Sequence, residues 1–187
     1  MPRSILVIPF LLIVCWAGRV NAQDLGEDYE EILVYLKVQG IGGYEINSIY
    51  SYNDNRLLLP VTELFTILRI NQETSDRYDN VSGYLLNEEK RYVISYPGRY
   101  IALNGDTTFL KENDVLKTNF GLFLHTGIYG KAFGLYCTFN FRALSVELRT
   151  DLELPAIRDM RLAQMRKNIE MIKGEVEVDT TDRKSVV

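Results

Sequence analysis

Residues 56–70 read RLLLPVTELFTILRI, and the predicted fold is built outward from this stretch. The apolar run at residues 57–59 indicates a buried strand. The residues after Pro60 place leucine and isoleucine side chains on one face of a helix, for which Thr62 is the predicted N-terminal cap. The stretch therefore predicts a strand that runs directly into a short helix.

Residues 121–135, GLFLHTGIYGKAFGL, align on the first stretch without gaps. Large side chains coincide at equivalent positions, for example Leu64 with Tyr129 and Leu68 with Phe133. Paired strands are predicted after each copy, so the pattern favours a duplicated β-α-β-β unit at about 56–96 and 121–150. Chance agreement between two similar elements is the alternative.

Alternating apolar and polar residues predict strands on both sides of these stretches, and Asn104-Gly105 is a typical hairpin turn. The expected architecture is α+β, with mainly antiparallel strands, in one domain spanning residues 32–152. The predicted strands cover residues 32–39, 44–52, 81–87, 91–96, a pair flanking 104–105, 136–140 and 143–150.

The C-terminal part predicts an amphipathic helix at 155–173, opened by Pro155, within a connector assigned to 153–174. Two interpretations stay open: a terminal helix packed on its own domain, or a connector that positions a downstream region. Residues 182–187, DRKSVV, match the translation of a common sequencing adapter and are expected to be non-native. Residues 175–181 would then begin a longer downstream region.

The N-terminus has the features of a cleavable secretory signal over residues 1–22. A short basic start precedes an apolar run at 5–17, and Val20-Asn21-Ala22 suits a signal peptidase. A membrane anchor is the alternative, but spanning a bilayer takes about 20 apolar residues and this run is shorter. Residues 23–31 are expected to form an acidic, solvated leader, and the mature protein to lie outside the cytoplasm.

Charge and cysteine content narrow the classes of partner. The chain has 21 basic and 25 acidic residues. Removal of Arg3 and Arg19 with the signal makes the mature protein more acidic, so nucleic acid is not an expected partner. Val14 before Cys15 fits a lipoprotein signal poorly, so lipidation is not expected. Cleavage of the signal leaves Cys137 as the single cysteine, which is expected to lie in a buried strand and cannot form an internal disulfide.

No residue pattern indicates a catalytic, cofactor or metal site, and none is predicted. His125 is the sole histidine and is expected to cap the second helix. The triplet Asn80-Val81-Ser82 fits a glycosylation sequon at the start of a strand. Seven tyrosines could form a binding surface for a peptide strand or a glycan, but ordinary half-buried strand positions explain them equally well. They are Tyr44, Tyr50, Tyr52, Tyr84, Tyr92, Tyr96 and Tyr100.

The duplicated strand–helix pattern of residues 57–70 and 122–135 resembles the small domain at the N-terminus of copper amine oxidases, which also occurs in bacterial envelope proteins. The metal and redox chemistry of those enzymes reside in other domains. This resemblance therefore implies an adhesive or spacing module with no copper or other cofactor.

A second resemblance covers most of the mature chain. Residues 57–65, 81–84, 133–146 and 152–161 are similar to the periplasmic leader of large usher-like outer-membrane proteins of the Bacteroidetes type. The resemblance implies a non-enzymatic module on the periplasmic side of the outer membrane that recruits or positions client subunits before a β-barrel. A cell-wall or glycan-binding module of a secreted protein is the alternative, and a structural stalk is a third possibility.

Overall fold

The structure is a computed structural model that describes residues 28–181, with side chains to residue 173. The predicted signal peptide, residues 23–27 of the leader and the tail at 182–187 lie outside the described residues. The described part of the chain forms a seven-stranded sheet, a five-stranded sheet and three α-helices. The predicted α+β class with mainly antiparallel strands is confirmed.

The larger sheet combines strands from both halves of the chain. Its one parallel pair within the described residues joins β1 to β12, with Tyr35 opposite Ser145 and Val38 opposite Leu148. Its strands, in spatial order, are β11 (Tyr136–Asn140), β12 (Ser145–Arg149), β1 (Tyr29–Val38), β2 (Gly42–Ser51), β3 (Arg56–Pro60), β10 (Leu122–His125) and β9 (Val115–Lys117).

The smaller sheet is an antiparallel meander. A 3-10 helix, Glu112–Asp114, follows it and leads into β9. The strands of this sheet are β4 (Asn71–Thr74), β5 (Asn80–Tyr84), β6 (Arg91–Ser95), β7 (Tyr100–Leu103) and β8 (Asp106–Phe109).

Side chains alternate between two faces of the larger sheet, because successive residues of a strand point in opposite directions. The face that we call the inner face packs into one continuous core with both sheets and the helices α1 (Val61–Ile67) and α2 (Thr126–Phe133). At the centre of this core, Phe65, Tyr92, Tyr129 and Phe133 meet mostly edge to face, an arrangement that aromatic quadrupoles favour. The opposite, outer face carries a small separate cluster of Ile49, Leu58 and Phe123.

Each copy of the predicted repeat forms a strand and a short helix followed by an antiparallel pair, but in the first copy the unpredicted strand β4 separates α1 from the predicted pair, which is β5 and β6. The two leading strands, β3 and β10, pair with each other, with Leu59 opposite Leu124. The predicted strand pairs differ in location, since β5 and β6 lie in the smaller sheet and β11 and β12 in the larger one. Common descent of the two units stays a prediction.

Several local expectations differ from the structure. Strand β1 begins at Tyr29, so it includes the last residues of the predicted leader. Strands β4 and β9 were not predicted, because β4 has the polar sequence Asn71–Thr74 and β9 is only three residues long. Thr62 is not the cap of α1: the capping position is Pro60, which makes no side-chain capping hydrogen bond.

The long helix α3 (Pro155–Thr181) is joined to the body only through its first residues. Leu154 and Ala156 are buried, and Arg69 forms an ion pair with Asp159. The side chains at 158–173 are exposed. The helix extends past the predicted end at 173, and its exposed side chains do not fit a helix packed on the domain; its role as a connector stays a prediction.

None of the helices that the structure describes is both long and apolar enough to cross a membrane.

Candidate functional site

A groove of about 460 Å³ lies on the outer face of the larger sheet. Its floor is built from adjacent strands, which contribute Glu31 from β1, Asn47 from β2, Pro60 from β3 and Phe123 from β10. Pro60 and Phe123 are direct register partners, so the floor is apolar at the β3–β10 pair. It becomes polar toward β1 and β2.

Helix α1 forms one wall of the groove, because β3 ends at Pro60 and the helix starts at the next residue. Thr62, Glu63, Thr66 and Ile67 line this wall. The Gln72 side-chain amide nitrogen donates to the Thr62 carbonyl oxygen at 2.7 Å and to Thr66 Oγ1 at 2.9 Å. These bonds tie the helix to the strand that comes after it and hold the wall in place.

A tight turn before β10 presents Phe120 at the groove. Buried Thr118 organises this turn: its backbone nitrogen donates to the Gly121 carbonyl oxygen at 2.9 Å, and its Oγ1 accepts from the Phe120 backbone nitrogen at 3.3 Å. The Phe120 ring is 48% exposed and stands edge-on to Phe123, with centroids 5.7 Å apart. The groove therefore has an exposed aromatic side chain held by a fixed backbone.

Tyr78 adds a second aromatic residue to the lining. It has a positive φ of 56° in a turn closed by Ser75, whose carbonyl oxygen accepts from the Tyr78 backbone nitrogen at 2.9 Å. The Ser75 hydroxyl oxygen also accepts from the backbone nitrogens of Asp79 and Asn80. The Ser75 hydroxyl thus takes the place of a backbone acceptor for these two nitrogens and stabilises the turn that holds Tyr78 in its left-handed conformation.

The groove is electrostatically negative. Its lining includes Glu31 and Glu63 but no Lys, Arg or His. Within the described part of the chain, neither carboxylate has an ion-pair or hydrogen-bond partner. Desolvation raises the pKa of the Glu63 carboxyl, because part of its hydration is lost without compensation by a cation.

No basic side chain lines the groove, and Lys117 close to Tyr78 is already paired. Lys117 forms an ion pair with Asp79 and stands over the Tyr96 ring at 5.7 Å. Arg77 precedes the groove residue Tyr78 in sequence, but it is exposed and is not part of the lining. The two carboxylates of the groove therefore have no cationic partner within its lining.

The predicted tyrosine surface is not a single surface. Tyr92 is 1% exposed in the core and donates its hydroxyl proton to the Asn71 carbonyl oxygen at 2.9 Å; burial raises its pKa. Tyr50 is also buried, whereas Tyr44 and Tyr52 are exposed. Tyr52 donates to Glu30, and this hydrogen bond raises its pKa. The remaining three of the set, Tyr84, Tyr96 and Tyr100, are half-buried on or next to the smaller sheet.

The other candidate residues lie away from the groove. His125 occupies the N-cap position of α2 but makes no side-chain capping bond, so the predicted capping role is wrong. Burial lowers the pKa of its imidazole, and the positive charge of Arg56 lowers it further. Cys137 is half-buried in β11, an edge strand of exposed and half-buried residues, so the expected buried strand is wrong; desolvation still raises the pKa of its thiol to about 12. Asn80 is exposed at the start of β5.

Among the described residues, no group of three or more His, Cys, Asp or Glu side chains is placed to hold a metal ion. The groove itself offers carboxylates, an amide, hydroxyls and aromatic rings. These groups bind cations, amides and sugar hydroxyls.

Sequence reasoning missed the groove. The sequence pattern places Glu31 in a solvated leader, Glu63 on the polar side of a helix and Phe120 between predicted elements. Their convergence depends on the pairing of β1, β2, β3 and β10, which brings together residues up to 92 positions apart. No local pattern carries that information.

Comparisons of this chain with protein-family models, with curated proteins and with solved structures found no match.

Proposed function

We propose that this protein is an exported, non-enzymatic binding module that holds a segment of a client protein in the outer-face groove. The proposed setting is the periplasmic side of the outer membrane, as the leader of an usher-like protein that recruits or positions client subunits. The observation that carries the proposal is the groove, with a floor that is apolar at the β3–β10 pair, the exposed Phe120 and two unpaired carboxylates.

The surface beside the groove suits a protein segment. Leu33 and Tyr35 come after Glu31 along the same face of β1 and are 53% and 46% exposed. The Tyr35 ring lies against the strand at Gly43, where an added Cβ would stand 1.9 Å from the tyrosine oxygen. A client chain that enters the groove can therefore continue over apolar side chains that are already held by the sheet.

A glycan-binding module is the second candidate. Exposed aromatic rings stack on sugar faces, and carboxylate and amide groups bind sugar hydroxyls. Phe120, Tyr78 and Asn47 provide these groups in one groove.

The full chain, exported with its own signal by a bacterial host, can be used to select binders from a display library of short linear peptides. Phe120→Ala is the test variant. Phe109→Ala is the matched control, because Phe109 is also a highly exposed phenylalanine but lies on β8 of the other sheet. We expect selected peptides to bind the native protein and the Phe109 variant and to lose binding to the Phe120 variant.

The same three proteins can be tested on an array of cell-wall oligosaccharides. Glycan binding that depends on Phe120, without peptide binding, would favour the second candidate. Binding of peptides that is insensitive to Phe120 would overturn the assignment of the groove.

A further inference from the structure

We infer that the groove is selective for a cationic side chain, so that the client segment inserts a lysine or arginine between α1 and Phe120. This inference rests on the proposed function and names the chemistry that the same site recognises. It depends on two features of the groove: the sign of its charge and its apolar lining.

Two carboxylates set the charge of the groove. Glu31 comes from β1 and Glu63 from α1, so residues far apart in sequence place two negative groups in one groove. No described cation pairs with either carboxylate and no basic residue lines the groove, while Lys117 is held by Asp79, the residue after the groove residue Tyr78. An anionic ligand would be repelled, whereas a cationic one would gain from both carboxylates.

The apolar lining distinguishes a long side chain from a bare cation. Phe120, Phe123, Pro60 and Ile67 form the larger part of the surface around the carboxylates. Lysine and arginine combine an aliphatic stem with a charged head, so the stem can cover this apolar surface while the head stays near the carboxylates. The exposed ring of Phe120 is also a suitable partner for a guanidinium or ammonium group.

The desolvated state of Glu63 is consistent with this assignment. Its raised pKa results from burial without a compensating positive charge. A cation in the groove would supply that charge and favour the ionised form. The groove thus has a carboxylate whose ionisation improves when a basic side chain binds.

The test is an amide NMR titration of the exported protein with three single-residue probes: Nα-acetyl-lysine amide, Nα-acetyl-arginine amide and Nα-acetyl-norleucine amide. Norleucine has the aliphatic stem of lysine without the charge. We expect the two cationic probes to shift the amide signals of Phe120, Gly121 and Phe123, and to bind more tightly than norleucine. Added salt should reduce this difference.

Glu63→Gln and Glu31→Gln are the test variants, and Glu45→Gln is the matched control. Glu45 is an exposed glutamate on β2, opposite Tyr35, but it does not line the groove. Each test variant should weaken binding of the cationic probes by about two- to fivefold, as expected for a partly solvated ion pair, and the control should leave it unchanged.

Equal binding of lysine and norleucine probes in the groove would overturn the cation inference and leave the proposed binding function intact. Equal loss in all three glutamine variants would also overturn it, since the effect would then reflect overall charge. If the amide signals of Phe120 and Gly121 do not shift with any probe, the groove is not a cation site. The peptide selection tests the proposed binding function separately.

Discussion

Substitution of Gly83 by alanine gives a sharp test of how the smaller sheet supports the rest of the domain. Gly83 lies on β5 opposite Gln72 of β4. An added Cβ would stand 2.1 Å from the Asn71 carbonyl oxygen and 2.8 Å from its carbonyl carbon. These are backbone atoms, so the clash can be relieved only by moving β4 away from β5.

The cost depends on the contacts that β4 makes. Moving it weakens about two backbone hydrogen bonds, each worth about 1 kcal/mol net. It also takes the Asn71 carbonyl away from the buried Tyr92 hydroxyl, which now donates to it at 2.9 Å. Loss of that acceptor costs a further ~1 kcal/mol or more. We therefore expect Gly83→Ala to lower the free energy of unfolding by roughly 3 kcal/mol, a fall in Tm of about 6–12 °C.

The assay is urea unfolding monitored by circular dichroism, with Ser82→Ala on the same strand as the control. A Tyr92→Phe double-mutant cycle tests the mechanism, because removal of the hydroxyl should cost less in the Gly83→Ala background than in the native one. A loss below about 0.5 kcal/mol, within the usual range for an inconsequential surface change, would refute the reasoning. So would additive effects of the two substitutions.

Three further predictions concern the helix α3, the thiol and the groove. Ending the chain after Asp159 should leave the cooperative melting transition nearly unchanged. In contrast, Leu154→Ala, which empties a fully buried site, should lower the free energy of unfolding by about 2–5 kcal/mol. A large loss of stability on truncation would show that the exposed helix belongs to the core. Cys137 is half-buried, and desolvation raises the pKa of its thiol to about 12. Alkylation by iodoacetamide near neutral pH should therefore be slower in the native protein than in denaturant, and equal rates would contradict that desolvation. Because the pKa of Glu63 is raised in the folded state, the contribution of this residue to the free energy of unfolding should fall as pH rises through the acidic range. The Tm of Glu63→Gln should therefore increase relative to the Tm of the native protein over this interval. Parallel plots of Tm against pH for the two proteins would show that the carboxyl is not desolvated.

Much of the secondary structure can be predicted from sequence pattern. Sequence pattern located β1, β2 and β6 and the run of β3 into α1, although α1 begins two residues before the position that the predicted Thr62 cap implies. Strand β4 escaped detection because its polar residues carry no alternating apolar signal, and its structure depends on pairing with β5. Local sequence pattern predicts a strand when one face of that strand is buried. It does not predict a strand that forms only because it pairs with its neighbour.

The tyrosines show why burial is harder to predict than secondary structure. Tyr92 and Tyr52 are both on or beside strands. Tyr92 packs against Phe65 and its hydroxyl donates to the Asn71 carbonyl oxygen, whereas Tyr52 is exposed beside Glu30. Tyrosine suits both environments, because its ring is apolar and its hydroxyl needs only one partner. The choice depends on which sheet faces which, and the sequence pattern does not contain that relation.

The measurement that tests the central claim most directly is the structure of the exported protein bound to its tightest selected linear peptide. We expect a basic side chain of the peptide to lie between α1 and Phe120, with its head near Glu31 or Glu63 and the rest of the chain running over Leu33. A peptide bound elsewhere, for example along the edge of β11 with the groove empty, would contradict the account.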